Sequence, residues 1–232
     1  MNQTTAFDPY AEGYDAVCAE ALSVTGEDRS YYANGRVRWL ARCLTQFGES
    51  PRTALDFGCG PGSTGPILIR ELGLTRCTGV DTSARLIDLA RKSCGPGGND
   101  FLLVSEFQPA ESMDLAYCNG VFHHIPLSER AANLEMIHKA LRLGGLFALW
   151  ENNPWNPGTH YVMSNCAFDK DAVTLPPPEA KRLLRAAGFE ILRTDFLFIF
   201  PRFLRLLRPL EAPLSRLPFG AQYQVLCRKT SV

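Results

Sequence analysis

With 232 residues, 46% of them apolar, and 24 basic against 24 acidic side chains, the chain can bury one sizeable core and carries no net charge at pH 7. That balance excludes the broad basic field of a nucleic-acid binder. Eight cysteines, at 18, 43, 59, 77, 94, 118, 166 and 227, stand singly without a Cys-x-x-Cys pair, so they read as reduced thiols of a cytoplasmic protein and not as a disulfide frame or a zinc site. The polar N-terminus lacks a signal-peptide pattern, and no apolar run is long enough to span a bilayer.

In chain order, Tyr10 and Tyr14 stand four apart and would share a helix face. Val37, Leu40, Cys43, Leu44 and Phe47 then recur at helical spacing, with Tyr31, Tyr32 and Arg36 near the start of that helix. Residues 1–50 therefore read as an N-terminal helical lid region, ahead of a main domain at 51–232. Strand patterns follow at 53–57, 76–80, 101–104, 114–118, 145–150, 190–199 and 222–228, with helical patterns in most gaps. This alternation predicts an α/β fold, a doubly wound and mostly parallel sheet with right-handed crossovers. Ligands of such sheets sit beyond the carboxyl ends of the strands, where Asp56, Asp81, Ser105, Glu106 and Asn119 all fall.

The stretch Ala54-Leu-Asp-Phe-Gly-Cys-Gly-Pro-Gly-Ser63 reads as a buried strand breaking into a glycine-rich turn before a helix. Missing side chains there let the backbone turn sharply and approach a ligand, and the amides opening the next helix would face an anionic group. A dinucleotide-binding loop wants Gly-x-Gly-x-x-Gly. Here the third glycine comes one position early, at Gly62, and an acid, Asp56, precedes the first by two. Cys77-Thr-Gly-Val-Asp81 is a second short strand ending in an acid, and a carboxylate there can accept bonds from ribose hydroxyls or simply cap the next helix.

These motifs, with Met113-Asp-Leu-Ala-Tyr-Cys-Asn-Gly-Val-Phe-His-His-Ile125, Leu143-Gly-Gly145 and Ala187-Gly-Phe189, resemble the class I S-adenosylmethionine-dependent methyltransferases of the small-molecule type. The resemblance implies a Rossmann-like, seven-stranded sheet whose last strand is antiparallel, with S-adenosylmethionine as cofactor. It places Asp56, Phe57, Gly58, Cys59 and Gly60 on the methionine part, and Asp81 and Thr82 at the ribose. Ser105, Glu106 and Phe107 would lie by the adenine, Asn119 and Gly120 by the amino group, and Tyr14 would close over the cofactor as part of the lid. It also implies methyl transfer by in-line displacement to an oxygen, nitrogen or carbon acceptor.

Two substrate-side insertions, at about 151–175 and 200–220, are outside that resemblance. Glu151, Asn152, Trp155, His160 and Tyr161, with Tyr10, are the candidates for contact with a small-molecule acceptor. Asn156 belongs to the same segment, whose alternative role is a proline-stiffened connection. His123, His124 and His160 are the candidate proton acceptors, against a structural role for the pair, and no metal is expected. Arg202, Arg205 and Arg208 recur every three residues among Phe203, Leu204, Leu206 and Leu207, a cationic amphipathic helix that could meet a membrane surface through 200–219 or dock on its own domain. The rival functions are an S-adenosylmethionine-binding module without turnover and a nicotinamide-dependent reductase.

Overall fold

A computed structural model describes residues 13–94, 97–169 and 172–230. Tyr10 lies outside the described residues, as does the side chain of Tyr14. Two helices come first, α1 (Tyr14–Leu22) and α2 (Arg29–Phe47). Asp28 caps α2 by accepting the Tyr31 N–H at 2.8 Å.

Strands and helices then alternate as β1 (Thr53–Phe57), α3 (Gly65–Leu72), β2 (Arg76–Asp81), α4 (Ala84–Ser93), β3 (Asn99–Leu103), β4 (Met113–Asn119), α5 (Arg130–Ala140) and β5 (Leu141–Asn152). They continue as α6 (Pro157–Ser164), α7 (Pro177–Ala186), β6 (Phe189–Leu197), α8 (Glu211–Leu214) and β7 (Gln222–Lys229). The strands form one sheet in the order β3-β2-β1-β4-β5-β7-β6. Strands β1 to β5 pair in parallel, and β7 runs antiparallel to both β5 and β6, as expected for the last strand.

Alternation along the strands sorts the core onto two faces. Leu55, Ala116, Phe147 and Val225 pack with Leu134, Ile137 and Leu184 of α5 and α7. Ala54, Leu115, Ala148 and Leu226 pack on the other face with Val37, Leu40 and Leu68 of α2 and α3. The strand order reverses between β1 and β4, which opens a crevice at their carboxyl ends.

The segment after β6 is helical as expected, but as a 3-10 helix: Arg202–Leu210, kinked at Leu204. Pro209 inside it has no N–H to donate, and Pro201 stands just before it. With three residues per turn, the part after the kink puts Arg205 and Arg208 along one edge. Arg202 donates to the Gly26 carbonyl at 3.2 Å and Arg208 to Glu27 at 2.8 Å, so two of the three arginines tie the segment to the link between α1 and α2. Phe203 and Leu206 stay exposed, at 79% and 89%. Among the described residues no helix is long and apolar enough to cross a membrane. The two insertions are knit by Asn153, fully buried, whose Nδ2 donates to the carbonyls of Pro218 (3.1 Å) and Gly220 (2.8 Å).

Candidate active site

The chain leaves β1 through Gly58, at φ +73°, where a Cβ would stand 2.3 Å from Val121 Cγ2. The N–H groups of Gly58 and Cys59 donate to the Val80 carbonyl at 2.8 and 3.0 Å, tying the turn to β2. Gly60, at φ +54°, is bare for another reason: a Cβ there would meet nothing within 4 Å, because its open side faces the cavity. Asp81 holds this turn in place. Its Oδ2 accepts the Gly60 N–H at 2.9 Å and its Oδ1 accepts the Ser83 N–H at 2.9 Å, so one carboxylate fixes both the glycine turn and the entry to α4.

Beside the turn, Asp56 Oδ2 and Asn119 Oδ1 are buried without a hydrogen-bond partner, on residues that line the cavity. Such an acceptor costs about 1–3 kcal/mol when nothing donates to it. Burial first, and then the Asp81 charge, push the Asp56 carboxyl up to about 7, with Arg36 opposing. Two acceptors lacking donors, next to a glycine with open space, fit the cationic amino end of S-adenosylmethionine.

The cavity measures about 1100 Å³. Its wall includes Asp56, Phe57, Gly58, Cys59, Gly60, Asp81, Thr82, Asn119 and Gly120 of the expected cofactor set, His123 and His124 of the candidate proton acceptors, and Asn152 and Tyr161 of the candidate substrate contacts. Ser105, Glu106 and Phe107 stand off it. Ser105 and Glu106 are exposed in the turn after β3, where Glu106 accepts the Leu103 N–H at 3.1 Å, and Phe107 is buried in the core. Leu86 and Val104 supply apolar wall there instead. Trp155 is 52% exposed and stacks on Phe196, while the His160 ring bonds the Pro154 carbonyl. Both stand off the cavity, although Asn156, which caps α6 by accepting the Thr159 N–H at 3.0 Å, lines it together with Thr159 and Tyr161.

Glu151 lies behind the wall, 1% exposed. Its Oε1 accepts the N–H groups of Val121 (3.1 Å) and Phe122 (2.7 Å), and its Oε2 meets His123 Nδ1 at 2.6 Å. This carboxylate shapes the loop after β4 from within. His123 Nε2 and His124 Nε2 in turn stand 3.4 and 3.3 Å from Oδ1 of Asp169, a wall residue that sequence spacing did not reveal. Burial alone would lower the His123 pKa, but Glu151 and Asp169 hold it above the usual histidine range. Burial would likewise raise Asp169, and the two histidines hold it well below the usual carboxylate range.

The opposite wall is aromatic. Phe198 lies 4.8 Å from Tyr32 and 6.0 Å from Tyr31, ring centre to ring centre. Its backbone is left-handed at φ +63°, a strained state for so bulky a residue, and Glu211 secures it by accepting the N–H groups of Phe198 (3.3 Å) and Phe200 (3.0 Å). A polar row runs between the walls: Arg36 donates to the Tyr117 hydroxyl at 3.1 Å and to Gln222 at 2.9 Å, and Gln222 donates to Asn152 at 3.2 Å.

A family whose description reads methyltransferase domain matches residues 26–194. A trans-aconitate 2-methyltransferase of Rhodopseudomonas palustris (strain BisB18) is 31% identical over 123 residues, covering 53% of this chain and 47% of that protein. The enzyme of the same name from Rhizobium etli is 30% identical over 161 residues, covering 62% and 61%. The chain thus spans about half the length of the curated relatives it matches. Among solved structures, a chain of the complex between the Haloferax volcanii Trm112 methyltransferase activator and its methyltransferase superposes with TM-score 0.66 at 20% identity, covering 99% of this chain and 100% of that one. Human N-acetylserotonin methyltransferase, in complex with S-adenosylmethionine, gives TM-score 0.66 at 16% identity, covering 97% and 59%. The two structures share the fold; the family match extends over most of the chain and includes the Asp56 turn, Asp81 and the Asn119 loop. The chain belongs to the class I S-adenosylmethionine-dependent methyltransferase family.

Proposed function

We propose that this protein methylates a small, largely apolar molecule through an oxygen, nitrogen or carbon atom, and that the acceptor lies between the aromatic wall and the loop after β4. Bound S-adenosylmethionine supplies an electrophilic methyl group on a sulfonium, and holding an acceptor in line with it is worth on the order of 7–11 kcal/mol. Asp56 and Asn119 accept from its amino end, Asp81 and Thr82 take the ribose, and Gly60 leaves it room. Tyr31, Tyr32 and Phe198 clasp the flat or apolar body of the acceptor, while the Arg36, Gln222 and Asn152 row orients a polar substituent.

The observation that carries this reading is the ring cluster built on a strained Phe198, which lines the same cavity as the Asp56 turn. A tricarboxylate such as trans-aconitate calls for a surplus of cations, whereas the wall sets Glu27, Asp28, Asp56, Asp81, Glu129 and Asp169 against Arg29, Arg36 and Arg208, and Arg208 is already paired with Glu27. Methyl transfer from labelled S-adenosylmethionine should therefore be detected with a phenolic or comparable apolar acceptor, at least roughly tenfold faster than with trans-aconitate, since tenfold corresponds to only about 1.4 kcal/mol. Preference for trans-aconitate would refute the apolar acceptor. Tight binding of S-adenosylmethionine with no transfer across such a panel would favour the module without turnover.

A further inference from the structure

We propose that His123, His124 and Asp169 form a binding site for one divalent transition-metal ion of the zinc type on the acceptor side of the cavity. The two imidazoles come from the loop after β4 and the carboxylate from the 3-10 turn Ala167–Asp169. One donor atom from each lies within 4.8 Å of the other two. The histidine Nε2 atoms stand 3.4 and 3.3 Å from Asp169 Oδ1, and ligands bound at about 2.0–2.1 Å to a tetrahedral ion stand roughly 3.3 Å apart. These two separations are therefore already those of a ligand set.

A second observation lies behind the first. Glu151 Oε2 meets His123 Nδ1 at 2.6 Å and is itself anchored by two backbone amides. With its Nδ1 proton shared with that carboxylate, the ring directs Nε2 at Asp169, the carboxylate–histidine arrangement that orients metal ligands. Two imidazoles and one carboxylate suit zinc, cobalt, iron or manganese better than calcium or magnesium. An ion there displaces the proton that His123 Nε2 otherwise shares with Asp169. Because all three residues line the cavity, the ion keeps an open side, toward which a water or the oxygen or nitrogen of the acceptor can bind. The metal site stands on its own geometry; its role toward the acceptor rests on the proposed methyl transfer. The competing arrangement is a closed ion-pair cluster, with Asp169 between two charged imidazoles and no affinity for metal.

Equilibrium dialysis of the chelator-treated full chain against Zn²⁺ should show uptake of one ion per chain. Asp169→Asn and His124→Gln should each weaken that uptake by roughly 100-fold or more, and Glu151→Gln by roughly 10- to 100-fold. Co²⁺ in place of Zn²⁺ should produce visible ligand-field absorption without thiolate charge-transfer bands, which separates this site from the free cysteines. Circular dichroism and binding of S-adenosylhomocysteine check that each variant is folded, and His124→Gln carries the test if Asp169→Asn does not fold. No uptake, uptake undiminished in a folded variant, or thiolate bands would overturn the site. Metal uptake that leaves methyl transfer unchanged would overturn only the role toward the acceptor.

Discussion

Asp81→Ala should weaken binding of S-adenosylmethionine by roughly 100- to 1000-fold, about 3–4 kcal/mol, in a protein that still folds. The wild-type carboxylate bonds the Gly60 and Ser83 amides at 2.9 Å each and lines the cavity at the place proposed for the ribose. Alanine removes the acceptor for the hydroxyls and releases the glycine turn from the start of α4 in one change. Hydrogen bonds to charged groups contribute about 1.5–3 kcal/mol each, so losing several accounts for the size of the effect. Asp81→Asn, which keeps the shape and one acceptor oxygen, should fall between. Calorimetric titration with S-adenosylhomocysteine measures both, with circular dichroism as the control for folding. Unchanged affinity in a folded Asp81→Ala protein would remove the ribose from this strand end.

Affinity for the methyl donor should also rise with pH up to about 7 and then level off, because Asp56 titrates there in the ligand-free protein. Its carboxyl is buried beside Asp81, with Arg36 as the opposing cation. The donor's ammonium group favours the ionised carboxylate, so binding below that point releases a proton. Affinity should therefore change by up to about tenfold per pH unit over roughly two units below 7. The stability of the ligand-free protein follows the opposite sign. Unfolded, Asp56 ionises near the usual 3.8, whereas folded it keeps its proton to about 7, so this residue costs stability as pH climbs through that window and its cost is full above it. Titration calorimetry in buffers of different ionisation enthalpy counts the released proton directly. In Asp56→Asn both the proton release and the slope should vanish; a slope that survives there would assign the titration to another group.

Much of the fold was legible because buried parallel strands and amphipathic helices differ in period, and that signal is local. Strand β2 ends at Asp81 and β1 at Phe57, close to where the turn residues predict. Strand β6 stops at Leu197, short of the expected 199, because Phe198 goes left-handed and starts the aromatic wall. The arginine spacing marked 202–210 as helical but did not carry its 3-10 form or its kink at Leu204. The residues expected at the cofactor from Asp56 to Gly60, with Asp81, Thr82, Asn119 and Gly120, line one cavity for the same local reason, since they sit in the turns that end strands.

The acceptor half depends on contacts between distant segments, which no local pattern encodes. Glu151 ends an apolar run like any strand-terminal acid, and only the packing of the loop after β4 against β5 shows that it faces inward to His123. Asp169 joins the histidines through the chain path after α6, so nothing near His123 in sequence announces it. Trp155 and His160 share a segment with Asn156 and Tyr161, yet only the latter two line the cavity, a difference that the sequence pattern does not carry.

The central claim is that the crevice at the β1 and β4 ends is a methyl-donor site, and one titration tests it directly. The purified chain should bind S-adenosylmethionine or S-adenosylhomocysteine at one site with micromolar or tighter affinity, about −8 kcal/mol or better, and should show no comparable binding of NADH or NADPH. Tight binding of a nicotinamide dinucleotide, with none of S-adenosylmethionine, would contradict it.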